Sequence, residues 1–403
     1  MAEKGKKTGF KVLILVLLII IGVGIFFFAS ASMGTTTYVN DGVIGDEEKE
    51  GEEAGGFFSK KDKEPKIIWP AILDKEEYDK RLLDLAHYVE PKPIEVATTT
   101  ADGVATTTIQ QPDKSLFAKF SDNINVTIPN KLWPPANPYP NGDAILPFYR
   151  ILAYYGNFYS VNMGILGEFE EDEVIRRLME EKASWEAADP NTPVMPAIEH
   201  IAMVAQGSAG EDGMYRSMMP EDHMERAYQM AKKIDGIVIY DLQIGLSTAQ
   251  QELPKFKDFL TRPEVHIALD PEFSMKSGGK PGTVIGTSSA DDINYMINYM
   301  SDIVKEHKLP PKVLLVHRFT QDMVTGYDKI KPTPEVQVVV VMDGWGSKDL
   351  KRGTYWHVIE PEPVQFAGVK IFYKNDLKEP STGIFTPQDV LELDPKPIYV
   401  QYQ

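Results

Sequence analysis

From Pro147 onward the chain alternates short apolar, β-branched or aromatic runs with stretches whose apolar residues recur at helical spacing. That alternation predicts βα units and a parallel sheet. Strands are predicted at residues 150–158, 194–200, 236–243, 265–272, 313–319, 336–343, 368–375 and 398–403. Helices are predicted at 171–187, 221–234, 248–260 and 291–307, with a fifth at 320–330. Ser247 and Gln250 have the spacing of a capping box for the third helix. Eight strands is the number that closes a barrel. The pattern therefore predicts an α/β fold, a (β/α)8 TIM barrel over residues 147–403. An open doubly wound sheet is the alternative. The Gly278-Gly279-Lys280-Pro281-Gly282 run, however, lacks the spacing of a phosphate-binding turn.

Before the barrel the pattern changes three times. Residues 12–31 form an apolar run with only Ser30 polar, long enough as a helix to cross a hydrocarbon core of roughly 30 Å. Lys4, Lys6, Lys7 and Lys11 precede it, and the next basic residue is Lys49. A cytoplasmic tail (1–11), a transmembrane anchor (12–31) and an extracytoplasmic remainder follow from that asymmetry. Ala29-Ser30-Ala31 also fits a signal cleavage site, and both readings place the barrel outside the membrane. Residues 32–66 are acidic and Gly-rich, as in a solvated spacer. Residues 67–146 read as an irregular arm: a helix over 74–89, two Thr triplets in a loop or hairpin, then a Pro-rich extended stretch. The arm is either a packing element over the barrel bottom or a small substrate-contacting module.

Composition narrows the chemistry. A formal net charge of −17 argues against nucleic acid, which needs a basic footprint. With no cysteine the chain has no disulfide, thiol nucleophile or thiolate metal site. No cofactor motif is present.

In a (β/α)8 barrel the active site lies at the C-terminal ends of the strands, and nearly every predicted strand ends in polar groups. Period-two alternation puts His266, Ala268, Asp270 and Glu272 on one face and Val265, Ile267 and Leu269 on the other. Glu272, Asp270, Asp241, Asp343 and Glu199 are the candidate catalytic carboxylates. Tyr155, Asn157, Gln243, His317, Arg318, Trp345, Tyr373, Asn375 and Gln401 are the candidate substrate contacts. Clustered acids in a concave site suit glycoside hydrolysis, which needs one raised-pKa acid and a second carboxylate. Flat aromatic faces suit sugar rings.

The Leu269-Asp270-Pro271-Glu272-Phe273 motif resembles the D-x-E strand-four ending of chitinase-like and muramidase-type barrels. That resemblance implies Glu272 as general acid, Asp270 as its partner and Asp343 as a further carboxylate. The longer chitinase pattern departs at 264–268, which read Glu-Val-His-Ile-Ala. A broader resemblance joins Ala153-Tyr154-Tyr155-Gly156-Asn157, His317-Arg318-Phe319, Met342-Asp343-Gly344-Trp345-Gly346 and Tyr399-Val400-Gln401-Tyr402-Gln403. It is to an uncharacterised family of exported bacterial barrel proteins, many of them lipoproteins, although this chain has no lipid-accepting cysteine. The expected function is a membrane-anchored, cell-envelope glycoside hydrolase acting on peptidoglycan or a surface polysaccharide, with no metal. The alternatives are a non-catalytic glycan- or envelope-binding barrel, or a metal-dependent hydrolase using Glu199, Asp241, Asp270 and His317, with His200 as a further ligand. The loops at 202–220 and 274–289 are candidate lids.

Overall fold

Eight parallel strands pair edge to edge and close on themselves. They are β1 (Arg150–Gly156), β2 (Val194–Ala205), β3 (Ile237–Leu242), β4 (Val265–Leu269), β5 (Lys312–Arg318), β6 (Val336–Met342), β7 (Phe366–Ile371) and β8 (Tyr399–Tyr402). Each pairs with its sequence neighbours, and β8 pairs with β1 to shut the barrel. The computed structural model describes residues 72–89, 94–99, 105–110, 123–128 and 131–403. Chain contacts divide the protein into Met1–Trp69 and Pro70–Gln403, and the described residues lie in the second unit. The expected tail, membrane span and linker fall outside the described residues. Among those described, no helix is long and apolar enough to cross a membrane.

Alternation along the strands separates two cores. Ile198, Val238, Tyr240, Ile267, Leu314, Val316, Val338, Val340, Val369 and Val400 face outward. They meet Leu178 and Trp185 of α1 (Glu171–Ala188), Met224 and Met230 of α2 (Glu221–Lys233) and Ile293, Met296 and Met300 of α3 (Ala290–His307). Ile151, Ala153, Ala197, Ile239, Ala268, Leu315, Val339 and Val341 face inward and fill the lower barrel. The arm closes the bottom: Tyr78 and Leu82 of the helix Lys75–Leu85 join Tyr139 and Leu146 in that inner cluster. Gln337 pins the plug by accepting from Leu146 N at 3.1 Å and donating to Leu146 O at 2.7 Å. Thr98 and Thr99 of the first triplet and the whole of the second lie in two antiparallel paired strands, Ile94–Thr99 with Ala105–Gln110, and Thr100 lies outside the described residues.

Four local expectations change. Residues 320–330 are not a helix but two 3-10 turns, Gln321–Met323 and Tyr327–Lys329, around a two-residue strand, Val324–Thr325. Gly326, at φ +72°, breaks the helical path between them. The cap of the third helix is Thr248, which accepts from Gln251 N at 3.3 Å; Ser247 instead donates to the Gln251 side chain at 2.9 Å. Strand β4 stops at Leu269, because Pro271 has no N–H for the ladder, and Pro271–Phe273 forms a 3-10 turn. The expected lid at 202–220 is a hairpin extension of β2: Arg216–Met218 returns antiparallel to it, and Arg216 pairs with the buried Glu252 at 2.8 Å.

Candidate active site

Above the apolar floor the inward positions turn polar. Tyr155 of β1, Glu199 of β2, Asp241 of β3, His317 of β5, Lys370 of β7 and Tyr399 and Gln401 of β8 are all buried. Gln243, Asp270 and Asp343 stand just past their strands on the same side, also buried. At the centre, His317 Nε2 is 3.2 Å from Glu199 Oε1, and its Nδ1 is 3.8 Å from Asp343 Oδ2. Tyr399 donates its hydroxyl to Glu199 Oε2. Tyr155 donates to Asp241 Oδ2 at 2.9 Å. Gln243 holds its amide nitrogen 3.5 Å from both the Tyr155 hydroxyl and Asp270 Oδ2. Lys370 lays its ammonium 3.8 Å from the centre of the Tyr155 ring, a cation–π contact.

Backbone features set this geometry. Gly368 faces inward beside Tyr399, and a Cβ there would lie 2.9 Å from Tyr399 Cδ1. The missing side chain makes room for the ring that reaches Glu199. Asp270 caps the 3-10 turn by accepting from Glu272 N at 3.2 Å, which fixes the half-buried Glu272 at the rim. Removing the Tyr399 hydroxyl in Tyr399→Phe leaves a buried carboxylate oxygen short of a donor. The expected cost is about 1–3 kcal/mol, read by chemical denaturation.

The electrostatics separate the acids. Burial, with the added charges of Asp241 and Asp343, lifts Asp270 well above the carboxylate range. Burial and the nearby Asp343 charge raise Glu272 to about 7, with Lys370 opposing. Burial raises Asp241 to about 6, where the His317 charge opposes it and the Glu199 charge adds to it. Burial works against a charge on His317, but the Glu199 hydrogen bond and charge prevail and raise it to about 9. Carboxyl groups in one interior are thus shifted upward to different extents by their surroundings.

Of the residues expected from sequence, Glu199, Asp241, Asp270, Asp343, Tyr155, Gln243, His317 and Gln401 share the barrel interior, with Glu272 at its rim. Others do not join them. Arg318 points outward, buried against Glu362 at 2.6 Å. Tyr373, beyond the end of β7, donates to Glu181 at 2.7 Å and stacks on Tyr402 outside the barrel. Asn157 is spent on the backbone, donating to Ile201 O at 3.0 Å and accepting from Tyr159 N at 2.9 Å. His200 has the outward parity and stacks on Phe158, 4.7 Å between ring centres, so it cannot serve as a ligand here. Asn375 lies in a 3-10 turn, and Trp345 sits under Lys378, 5.2 Å from its ring centre; both belong to the rim loops. Lys370 and Tyr399 are additions, and their inward parity on predicted strands was the signal that marked them.

No family model matches this chain, and no curated protein matches it. Among solved structures it is similar to the Bacillus subtilis mannanase man26, at 12% identity and TM-score 0.33, over 64% of this chain and 80% of that one. It is also similar to the Bacillus subtilis mannanase BCman, at 12% identity and TM-score 0.31, over 64% and 80%. A third is GH26C from a Muricauda species, at 11% identity and TM-score 0.27, over 63% and 70%. The barrel assignment rests on the strand pairing of this chain itself.

Proposed function

We propose that this protein is a glycoside hydrolase of the cell envelope, with Glu272 as general acid and Asp343 as the second carboxylate. The observation that carries the reading is Glu272 itself, a half-buried carboxyl at the rim of a polar barrel mouth, raised to about 7 by burial and by Asp343. Such a group keeps its proton near neutrality and can deliver it to a glycosidic oxygen. Asp343 keeps one oxygen toward His317, while the other, Oδ1, is buried with no hydrogen-bond partner among the described residues. Asp270 positions Glu272 through the turn it caps. The envelope location rests on the apolar run at 12–31 with its preceding lysines, and it makes peptidoglycan or a surface polysaccharide the expected substrate.

The full chain should release reducing ends from purified peptidoglycan or from one member of a polysaccharide panel. Retention on a glycan without any release after prolonged incubation would instead favour a non-catalytic binding barrel.

A further inference from the structure

The deepest part of the polar interior has an organisation that acid/base hydrolysis does not call on. Glu199, Asp241 and His317 each offer a ligand atom, and these atoms lie within 4.8 Å of one another. All three side chains are buried. The two carboxylates are each held from behind through the oxygen that a metal would not need, and the far nitrogen of His317 has a carboxylate nearby but no hydrogen-bond partner among the described residues. Tyr399 takes Glu199 Oε2, leaving Oε1 turned to the cluster. Tyr155 takes Asp241 Oδ2. Asp343 Oδ2 faces His317 Nδ1 at 3.8 Å, leaving Nε2 directed at Glu199. A carboxylate behind the far nitrogen of a histidine, and hydroxyls on the far oxygens of carboxylates, are the outer contacts that orient metal ligands.

A second observation points to an absent partner. Asp241 Oδ1 is fully buried and has no hydrogen-bond partner among the described residues. A carboxylate oxygen can only accept, so it calls for a donor or a cation. Gln401, two residues beyond Tyr399 on the same inward face, is also fully buried, and neither its oxygen nor its nitrogen has a partner there.

We infer that Glu199 Oε1, Asp241 Oδ1 and His317 Nε2 form a buried three-ligand site for one divalent transition-metal ion, Zn²⁺ or Mn²⁺. One imidazole and two carboxylates suit these ions. The ion replaces the proton shared between His317 Nε2 and Glu199, and that proton leaves to solvent. The imidazole then donates from Nδ1 to Asp343. The two ligand carboxylates balance the dication. Three protein ligands leave a position for water or a substrate oxygen. The inference does not depend on the hydrolase reading, since binding is measured without turnover.

The test uses the full chain, stripped with chelator and titrated calorimetrically with Zn²⁺ and with Mn²⁺. One equivalent of at least one ion should bind, and it should raise the thermal midpoint. Asp241→Asn should weaken that binding at least tenfold and abolish the midpoint shift. Should Asp241→Asn fold poorly, Co²⁺ on the wild-type protein decides: visible bands of a low-symmetry nitrogen–oxygen site are expected at one equivalent. Absence of stoichiometric binding by Zn²⁺, Mn²⁺ and Co²⁺ would overturn the inference, as would a folded Asp241→Asn that binds like wild type. Metal binding without glycan cleavage would remove the hydrolase proposal and leave this one standing.

Discussion

Glu272→Gln is expected to lower turnover of the glycan substrate by about 10²–10⁴-fold, with little change in the thermal midpoint. Glutamine keeps the shape and the half-buried position but has no proton to give the leaving oxygen. Stability should hold because Glu272 makes no ion pair among the described residues and its backbone N–H still bonds to Asp270. The pH profile supplies an independent reading. A carboxyl raised to about 7 is protonated below that value and loses its proton above it. Wild-type turnover should therefore fall about tenfold per unit on the alkaline side of 7. Asp270→Asn should be milder, since the amide oxygen can still cap the turn that carries Glu272. If Glu272→Gln and Asp270→Asn both retain full activity on a substrate found by screening, the catalytic assignment fails.

The second large effect lies behind the site wall. Lys351, in the helix Lys348–Val358, is buried and pairs with buried Asp376 at 3.2 Å. It also donates to Gly344 O at 2.8 Å and Lys370 O at 2.7 Å. Asp376 accepts from Gly346 N and Phe372 N, each at 2.9 Å. The pair thus ties the loop after Asp343 to the strand that bears Lys370. Burial depresses Lys351 to about 8, with Asp376 opposing. At neutral pH the ammonium is still charged and depends on its partner. Asp376→Ala leaves that charge unpaired and should cost about 3–5 kcal/mol. The double replacement Lys351→Met with Asp376→Asn should cost less than Asp376→Ala alone, because no charge is then stranded. Denaturant titrations of the single and double variants at neutral pH measure this. Equal losses would show that the pair acts through packing alone.

Much of the architecture was legible from periodicity. All eight predicted strands coincide with barrel strands, because apolar alternation records which face meets the helices. The same alternation put Asp241, Asp270 and Asp343 on the inward face, Glu199, His317 and Gln401 were marked only as polar strand ends, and inward parity on the predicted strands also fits Lys370 and Tyr399. It failed where strands ended earlier than their polar residues suggested. Tyr373 and Asn375 lie beyond the end of β7, and Glu272 lies past Pro271, which ends the ladder. It also failed for Arg318 and Asn157: a polar residue at a strand end satisfies a neighbouring loop as readily as it faces a substrate.

What the sequence by itself determined is therefore the order of the elements and the inward parity of the acids, both local consequences of side-chain period. The tertiary structure alone decided which of those acids meet. Glu199 and His317 are separated by most of three βα units in the chain, and Tyr399 approaches Glu199 because β8 closes onto β1 while Gly368 on the neighbouring β7 leaves room for its ring. Barrel closure and burial, properties of the whole sheet, shift carboxylates of similar intrinsic acidity to different extents. No window of sequence contains that information, because the charges that shift each group come from other strands.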